Sequence, residues 1–301
     1  MTAFVTGEVS VEVPATSANL GPGYDCFGLA LDLCDTLTGE VCDGGLDISV
    51  EGAGADEVPR DDNHLVVRAM RATFAEMGVH PPGLRLGCHN RIPHARGLGS
   101  SSAAIVGGIV LARALVDGGE DLLPAEAALA LANRMEGHPD NVAPALLGGF
   151  VISGQADGEV WAERAPLHPS ISTMVFVPPH GVLTDVARGL LPQTVEHVDA
   201  ASNSGRAALL VLAMAARPDL LLRATEDYLH QSHREPAMPE SLALVRRLRA
   251  DGVPAVISGA GPTVLAFVVD DAEVRDRAAS MPEGWQILPK EVRDTGAIVL
   301  V

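Results

Sequence analysis

Strand-like and helix-like patterns follow one another irregularly along this chain of 301 residues. Strands are predicted where apolar and polar side chains alternate or short apolar runs occur: residues 8–13, ending at Pro14, and residues 46–51, 84–90 and 150–152. Helices are predicted where apolar residues recur at intervals of three and four: residues 65–77, with Asn63 as the N-cap, and residues 103–116 and 125–135. Because this order lacks a regular βαβα rhythm, it favours an α+β fold over a doubly wound parallel sheet.

The second half of the chain follows a looser stretch between Gln155 and Pro169, where Gly, Asp and Pro are scattered. We place a domain boundary there, with one domain at residues 1–155 and a second at residues 156–301. Further strands are expected at 173–177, 255–257 and 263–269, and helices at 203–216, 218–230 and 240–250. A length of 301 residues is consistent with two domains of ordinary size.

The net charge of the chain makes binding to some classes of partner unfavourable. With 21 basic and 39 acidic residues the formal net charge is −18, so binding of nucleic acid or of an anionic membrane is not expected. Lys290 is the only lysine, which excludes a Walker A loop and an S-x-x-K nucleophile pair. The four cysteines form no C-x-x-C pair and the N-terminus lacks a signal-peptide pattern, so we expect a cytoplasmic protein with reduced thiols.

The segment Gly97-Leu-Gly-Ser-Ser-Ser102 lies between a predicted strand and a predicted helix. Glycines at such a junction let backbone N–H groups turn inward, and the helix N-terminus adds partial positive charge, so the segment is suited to bind phosphate. Its spacing matches neither G-x-G-x-x-G nor Walker A. The alternative is a capped core helix that follows a loop of small residues.

The segment Glu136-Gly-His-Pro-Asp-Asn141 brings two acids and a carboxamide to the end of a predicted helix. Hard oxygen ligands of this kind suit Mg²⁺, and a carboxylate there could also act as a base. The alternative is an ordinary helix end with solvated acids.

Two further segments, Asn19–Asp25 and Ser258–Thr263, have the composition of turns. Turn chemistry alone accounts for the first, and a tight hairpin between two strands accounts for the second. The chain contains neither H-E-x-x-H nor G-x-S-x-G, so zinc-protease and α/β-hydrolase chemistry have no support.

Taken together, these segments resemble the motifs of the GHMP small-molecule kinases. Pro14–Asp25, Pro93–Ala104 and Ser258–Thr263 are similar to the three motifs of that family. The string Pro14-Ala-Thr-Ser-Ala-Asn-Leu-Gly-Pro-Gly-Tyr-Asp25 and the string Glu136–Ala145 resemble the branch that phosphorylates homoserine, and the likeness spans nearly the whole chain. It implies a two-domain α+β kinase with the active site in the cleft between the domains.

The resemblance also implies roles for individual residues. The substrates would be ATP and L-homoserine, with Mg²⁺ held by Ser101 and Glu136. The implied ATP-binding residues are Asn63 near the adenine and Pro93, Arg96, Gly97, Leu98, Gly99, Ser100, Ser101 and Ser102 around the phosphates. The implied homoserine-binding residues are Asn19, Asp25, Asn141, Thr184, Arg188, Arg234, Gly259 and Gly261. The implied catalytic residues are Asp140, Glu136 and Ser101, with Asp140 positioning the hydroxyl or accepting its proton.

Other activities stay open at this point. A kinase of the same family could act on mevalonate, shikimate or a sugar, none of which has an amino group beside a carboxylate. A non-catalytic member could bind ATP and a ligand without phosphoryl transfer. The sequence leaves open whether the protein forms a homodimer.

Overall fold

The structure, a computed structural model, describes residues 3–269 and 283–300. Within them lie two β-sheets with helices packed beside them, so the predicted α+β class is confirmed. The strands are β1 (Val9–Ala18), β2 (Phe27–Cys42), β3 (Gly45–Gly52), β4 (Gly83–Asn90), β5 (Phe150–Ala156), β6 (Glu159–Ala165), β7 (Ser172–Val177), β8 (Ala255–Ile257), β9 (Val264–Val268), β10 (Gln286–Lys290) and β11 (Ile298–Leu300).

The first sheet has seven strands. Its main path runs β11-β1-β2-β4-β3, and β5 pairs with β2 and carries β6 on its other edge. All of these pairs are antiparallel except β3 with β4. The second sheet has the order β10-β7-β9-β8 and is antiparallel throughout.

The helices are α1 (Leu65–Glu76), α2 (Ser100–Ala114), α3 (Gly119–Leu122), α4 (Ala125–Glu136), α5 (Pro139–Leu147), α6 (Thr184–Gly189), α7 (His197–Ala215), α8 (Leu221–Ala224) and α9 (Pro239–Ala250), with 3-10 turns at Pro218–Leu220 and Ser232–Ala237. Helix α2 is almost entirely buried between α1, α4 and the first sheet. The larger apolar core surrounds it, and a smaller core lies between the second sheet and α9. Among the described residues no helix combines the length and apolar character needed to cross a bilayer.

Strand β1 corrects the prediction that the first strand ends at Pro14. The strand continues to Ala18, and its pairing with β2 shifts register between Pro14 and Ala15. Proline has no backbone N–H to donate to the ladder, and an irregularity of this kind accommodates it. The polar residues after Pro14 therefore lie on a strand that runs into the site.

Three helix predictions also need correction. Helix α1 is preceded by His64 as N-cap rather than Asn63, and no side chain caps it. Helix α2 begins at Ser100, so the three serines form its first turn instead of a loop. The helix expected over 218–230 ends at Ala224, because the Asp227 carboxylate accepts hydrogen bonds from the backbone N–H groups of residues 229–231.

Strand β2 and helix α5 were not predicted. Both faces of β2 are largely buried, which removes the alternation that marks a half-exposed strand. Helix α5 has proline at its first position, where a missing N–H is tolerated, and a second proline at Pro144.

The hairpin of β5 and β6 spans residues 155 and 156, and both of its strands belong to the first sheet. The second sheet begins only at Ser172, while β11 returns the end of the described chain to the first sheet. The division into residues 1–155 and 156–301 stays a prediction, and the change of sheet itself lies after β6.

Candidate active site

A polar cleft of about 750 Å³ collects residues from both halves of the chain. It is lined by the first turn of α2, the junction of α4 and α5, the start of α6 and the turn after β8. Most of the predicted site residues lie on its wall: Asn19, Arg96, Gly97, Gly99, Ser100, Ser101, Glu136, Asp140, Asn141, Thr184, Arg188, Arg234 and Gly259. The fold therefore brings together residues that are up to 240 positions apart in the sequence.

Two glycines shape the phosphate side of the cleft. Gly97 and Gly99 have φ angles of 72° and 69°, in the left-handed region that favours glycine. A Cβ at Gly99 would lie 2.0 Å from Thr16 Oγ1, and one at Gly97 would lie 2.3 Å from the carbonyl oxygen of Ser258. This close packing places the N-terminus of the fifteen-residue helix α2 at the cleft, where its N–H groups and dipole favour an anion.

Glu136 lies beside that helix N-terminus. Its Oε1 accepts hydrogen bonds from the Ser101 hydroxyl at 2.7 Å and from the Ser102 hydroxyl at 2.9 Å. Carboxylate and hydroxyl oxygens are ligands that Mg²⁺ accepts, and this ion usually takes its remaining ligands from water and substrate phosphates. No cluster of three His, Cys, Asp or Glu suited to a metal occurs in the described part of the chain, so phosphates and water would have to complete the coordination.

A second, more apolar pocket of about 790 Å³ adjoins the first, and Ser100 and Ser101 line both. Asn63 and His64 lie on its wall together with Val13, Leu37, Pro59 and Val66. An apolar pocket with a few polar groups, continuous with a phosphate-binding helix end, suits a nucleotide base. Asn63 lies on the wall of this pocket, and its contact with adenine stays a prediction.

Three predicted ATP-binding residues, Pro93, Leu98 and Ser102, lie elsewhere. Leu98 is 1% exposed and packs in the larger core, and its carbonyl oxygen accepts a hydrogen bond from the Thr16 N–H. Pro93 lines neither pocket. Direct contact with ATP stays a prediction for all three.

Arg96 lines the cleft, but the hydrogen bonds of its side chain go to backbone carbonyl oxygens. Its guanidinium donates to the carbonyl oxygens of His94, Pro178 and Pro179, at 3.0, 3.1 and 2.6 Å. The Val182 N–H also donates to the Ala95 carbonyl oxygen. Together these hydrogen bonds connect the segment before α6 to the phosphate loop.

Arg234 is the largest fully buried side chain of the described chain, with 1% of its surface exposed. Its Nη1 donates to the Gly259 carbonyl oxygen at 2.9 Å and lies 3.2 Å from His230 Nδ1. No carboxylate within the described residues forms an ion pair with it, and its Nε has no hydrogen-bond partner there. Burial lowers the pKa of Arg234. A buried, unpaired guanidinium on a cleft wall is suited to bind an anionic group.

Arg188 and Asp25 form an ion pair at the same end of the cleft. Arg188 Nη2 donates to Asp25 Oδ1 at 2.7 Å and Nη1 donates to Oδ2 at 3.1 Å. Nη1 also donates to the Tyr24 hydroxyl at 2.8 Å. The Tyr24 ring lies beneath both arginines, 5.6 Å from the Arg188 guanidinium carbon and 5.8 Å from that of Arg234, within the range of cation–π attraction.

Asn19 connects three of these segments. Its Nδ2 donates to the Gly259 carbonyl oxygen at 2.9 Å, and its Oδ1 accepts a hydrogen bond from the Asp25 N–H. Asn19 has a φ angle of 70°, a conformation that asparagine tolerates better than most residues. Gly261 does not line the cleft, and a Cβ there would lie 2.4 Å from the Met238 sulfur. A substrate contact stays a prediction for Gly261.

Asp140 is 2% exposed and faces the cleft at the start of α5. Its Oδ1 accepts a hydrogen bond from His138 Nδ1 at 2.7 Å, and Asn141 accepts one from the Thr16 hydroxyl at 2.8 Å. Burial alone would lower the pKa of His138, but the hydrogen bond to Asp140 and the charge of that carboxylate outweigh it and leave the pKa raised. His138 is therefore held as a donor to Asp140.

Sequence reasoning missed three groups around the site. Tyr24 lies within the segment Asn19–Asp25, in which only Asn19 and Asp25 were predicted to bind substrate. Nothing in the sequence places an aromatic ring under two distant arginines. His138 is not among the predicted site residues, although it lies between Glu136 and Asp140. His230 precedes Arg234 by four residues, and this spacing is the feature of the sequence that could have indicated a contact between them.

Comparisons with known proteins agree with this geometry. Residues 64–149 match the family description "GHMP kinases N terminal domain", and residues 207–286 match "GHMP kinases C terminal". Homoserine kinase of Streptomyces coelicolor is 58% identical over 299 residues, which are 99% of this chain and 96% of that protein. Homoserine kinase of Streptomyces avermitilis is 56% identical over 298 residues, 99% of this chain and 97% of that protein.

Solved structures show the same fold. The crystal structure of homoserine kinase from Cytophaga hutchinsonii superposes with a TM-score of 0.86 at 23% identity and covers 99% of both chains. Mevalonate kinase of L. major in complex with R-mevalonate superposes with a TM-score of 0.71 at 14% identity, over 98% of this chain and 100% of that chain. At such identities the likeness establishes the architecture alone.

Proposed function

This chain belongs to the GHMP kinase family, and from its match to homoserine kinases over nearly its whole length we propose that it transfers the γ-phosphoryl group of ATP to the side-chain hydroxyl of L-homoserine. The product would be O-phospho-L-homoserine, an intermediate of threonine synthesis. One structural observation supports this substrate above all: the buried Arg234 guanidinium, unpaired with any described carboxylate, faces the cleft that also receives the N-terminus of α2.

The end of the cleft around Tyr24 is suited to a zwitterion. Arg234 lines the cleft without an ion-pair partner among the described residues, and Arg188 lies over the same ring. Asp25 provides a negative charge for an ammonium group. An α-amino acid that enters with its carboxylate toward the arginines and its amino group toward Asp25 satisfies both charges at once. Thr184 and Asn141, which line the same cleft, would contact the rest of the substrate.

The other end of the cleft is suited to ATP. The base would occupy the apolar pocket beside Asn63 and His64, and the phosphates would lie against the N–H groups at the start of α2. Ser100 and Ser101 line both pockets, so one bound nucleotide can extend from the apolar pocket into the cleft. The γ-phosphoryl group then points toward the amino-acid end.

Glu136 and Ser101 would hold Mg²⁺ at this junction. Their oxygens already lie 2.7 Å apart, and the metal supplies charge neutralisation on the phosphates when bound. The chain has no lysine here to do so, because Lys290 is its only one. Ser102 is fully buried and keeps Glu136 in place by donating to the same carboxylate oxygen.

Asp140 would position the hydroxyl that attacks. Its recorded bonds to His138 and Asn141, within the described chain, all use Oδ1, which leaves Oδ2 for the substrate. Phosphoryl transfer passes through a loose transition state, so alignment of the hydroxyl matters more than early removal of its proton. The proton passes to Asp140 or to water once the new O–P bond forms.

The chemistry of the surface bears on where this enzyme works. A net charge of −18 opposes binding of nucleic acid or of an anionic membrane, and we propose that the protein works in the cytoplasm, where its cysteines would stay reduced. Screening confines the field of these charges to about 8–10 Å at physiological salt, so the local donors at α2 decide how ATP binds.

A direct assay separates this function from its rivals. ADP formation is measured with L-homoserine, mevalonate and shikimate in parallel, and the phosphorylated product is identified by ³¹P NMR. We expect turnover with L-homoserine and little with the two alcohols that lack an amino group. Turnover with mevalonate or shikimate instead would assign another branch of the family, and nucleotide binding without ADP release would assign a non-catalytic role.

A further inference from the structure

His230 lies behind the amino-acid end of the cleft and is fully buried. One ring nitrogen, Nε2, lies 2.8 Å from the carbonyl oxygen of Gly21. The other, Nδ1, lies 3.2 Å from Arg234 Nη1. The imidazole therefore bridges the loop that carries Asn19 and Asp25 to the guanidinium of Arg234.

The two contacts decide which nitrogen carries the proton. A carbonyl oxygen can only accept, so Nε2 must donate to Gly21. A guanidinium can only donate, so Nδ1 must accept from Arg234 and carry no hydrogen. The ring is thus neutral in its Nε2–H tautomer, because a second proton on Nδ1 would face an N–H of Arg234.

The charges around the ring agree with this assignment. Burial is the main cause that lowers the pKa of His230, and the positive charge of Arg234 lowers it further. Asp227, whose Oδ1 is 3.6 Å from Nε2, and the more distant Asp25 act in the opposite direction without reversing the shift. The Tyr24 ring closes the remaining side, with its centroid 5.4 Å from that of the imidazole.

Gly21 is a fixed anchor for this bridge. Its φ angle is +88°, and a Cβ there would lie 2.5 Å from the Thr225 carbonyl oxygen. Asn203 holds the next residue by donating to the Pro22 carbonyl at 2.8 Å. Because the loop is held on both sides, a bond from His230 to Gly21 fixes the ring, and the ring in turn fixes Nη1 of Arg234.

We propose that His230 is a positioning residue for Arg234: as a neutral Nε2–H imidazole it orients the guanidinium on the cleft wall toward the substrate carboxylate. Gly259 supplies the second acceptor for the same Nη1. The orientation thus depends on two acceptors, His230 Nδ1 and the Gly259 carbonyl oxygen. This inference rests on the proposed function only for the identity of the anion, since the tautomer follows from the contacts themselves.

Two substitutions separate the two bonds of the ring. In His230→Asn the side-chain carbonyl can take the place of Nδ1 and accept from Arg234, but the bond to Gly21 is lost. In His230→Gln the amide can take the place of Nε2 and donate to Gly21, but no acceptor faces Arg234. KM for homoserine and for ATP, and kcat, are measured for both variants and the wild type.

We expect KM for homoserine to rise about tenfold or more in His230→Gln, the scale of one lost bond to a charged group, and to rise clearly less in His230→Asn. KM for ATP should stay unchanged in both. Each variant loses one buried hydrogen bond, so their thermal midpoints should fall by similar amounts. The reverse order of homoserine KM, or equal values in both variants, would overturn the proposed role.

The tautomer is tested without any turnover. Wild type labelled with ¹⁵N-histidine is examined by long-range ¹H–¹⁵N correlation, and the His230 signals are assigned by their loss in His230→Gln. We expect a bare Nδ1 and a protonated Nε2 at neutral pH. An Nδ1–H tautomer or an imidazolium would contradict the inference even if homoserine is phosphorylated. Failure of wild type to phosphorylate homoserine would instead contradict the proposed function and leave the tautomer standing.

Discussion

Asp25 and Arg188, which lies on the cleft wall, bind each other through two parallel hydrogen bonds of 2.7 and 3.1 Å. The sequence resemblance assigned both residues to homoserine, at its two oppositely charged ends. The pair keeps these charges neutralised in the protein alone. A zwitterion can replace each partner by a group of the same charge, whereas a neutral alcohol would leave both charges to be solvated. The pair thus favours an amino-acid substrate.

The first prediction concerns the acidic member of this pair. Asp25→Asn should raise KM for homoserine about tenfold to a hundredfold, because a hydrogen bond to a charged group is typically equivalent to about 1.5–3 kcal/mol. KM for ATP should be unaffected. Asp219→Asn is the matched control, since it removes a similar two-bond pair with Arg217 on the exposed surface. An equal effect of both substitutions on homoserine use would show that Asp25 acts through general electrostatics.

The second prediction concerns Glu136. Glu136→Gln should lower kcat strongly and shift the Mg²⁺ dependence of the rate to higher concentration, because one negatively charged oxygen ligand is lost. Thermal stability should change little, and added Mg²⁺ should restore part of the activity. Glu240→Gln, in the exposed first turn of α9, is the control. An active Glu136 variant with an unchanged Mg²⁺ dependence would remove this residue from the metal site.

The third prediction compares two glycines of nearly the same backbone conformation. Gly99 and Gly118 each precede a helix, with φ angles of 69° and 67°. Alanine at either position is strained, by about 1 kcal/mol or somewhat more. Only at Gly99 does the new Cβ collide, with Thr16 Oγ1 at 2.0 Å, whereas nothing lies within 4 Å at Gly118. Gly99→Ala should therefore raise KM for ATP and lower stability well beyond Gly118→Ala, as measured by kinetics and thermal unfolding.

The fourth prediction concerns Asp140 and its partner. If Asp140 only positions the hydroxyl, Asp140→Asn should lower kcat by less than the roughly 10²–10⁴-fold typical of a lost general base, and the pH–rate profile should keep its shape. We expect this smaller effect. Loss of the acidic limb of the profile in the variant would identify Asp140 as a base.

The same substitution has a consequence for His138. Its raised pKa comes from the hydrogen bond and charge of Asp140, acting against burial. Removing that charge should lower the pKa of His138, as followed by NMR titration of the imidazole. The pair stabilises the fold fully below the ordinary histidine pKa of about 6.5, and this contribution is lost as pH rises through the raised value. Wild type and Asp140→Asn should thus differ less in stability at high pH than at low pH.

Much of the fold could be predicted from the sequence, since periodicity marked α1, α4, α9 and several strands, and the α+β class followed from their order. Strand β2 escaped because burial of both faces erases alternation. The helix expected beyond Ala224 does not continue, because the Asp227 carboxylate accepts hydrogen bonds from backbone N–H groups that a longer helix would use. Such local competition depends on side-chain geometry that a pattern does not contain.

The residues of the site were also only partly predictable from the sequence. Gly97, Gly99, Glu136 and Asp140 were identifiable because they occur in short strings whose spacing reflects local structure. Partners across the cleft were not, as with Tyr24 beneath Arg188 and Arg234. Nor could the sequence show that Arg96 donates to three backbone carbonyls. Contacts of this kind arise from packing of distant segments.

The fifth prediction tests the central claim, that this cleft recognises an amino acid by its carboxylate. The measurement is the ratio of kcat/KM for L-homoserine to that for its carboxamide analogue, in wild type and in Arg188→Leu/Arg234→Leu, with Arg217→Leu as the surface control. Loss of a buried charge contact typically costs about 2–5 kcal/mol, so wild type should prefer L-homoserine by more than tenfold. The account predicts that the control keeps this preference and that the double variant loses nearly all of it. Equal discrimination by wild type and the double variant would contradict the account.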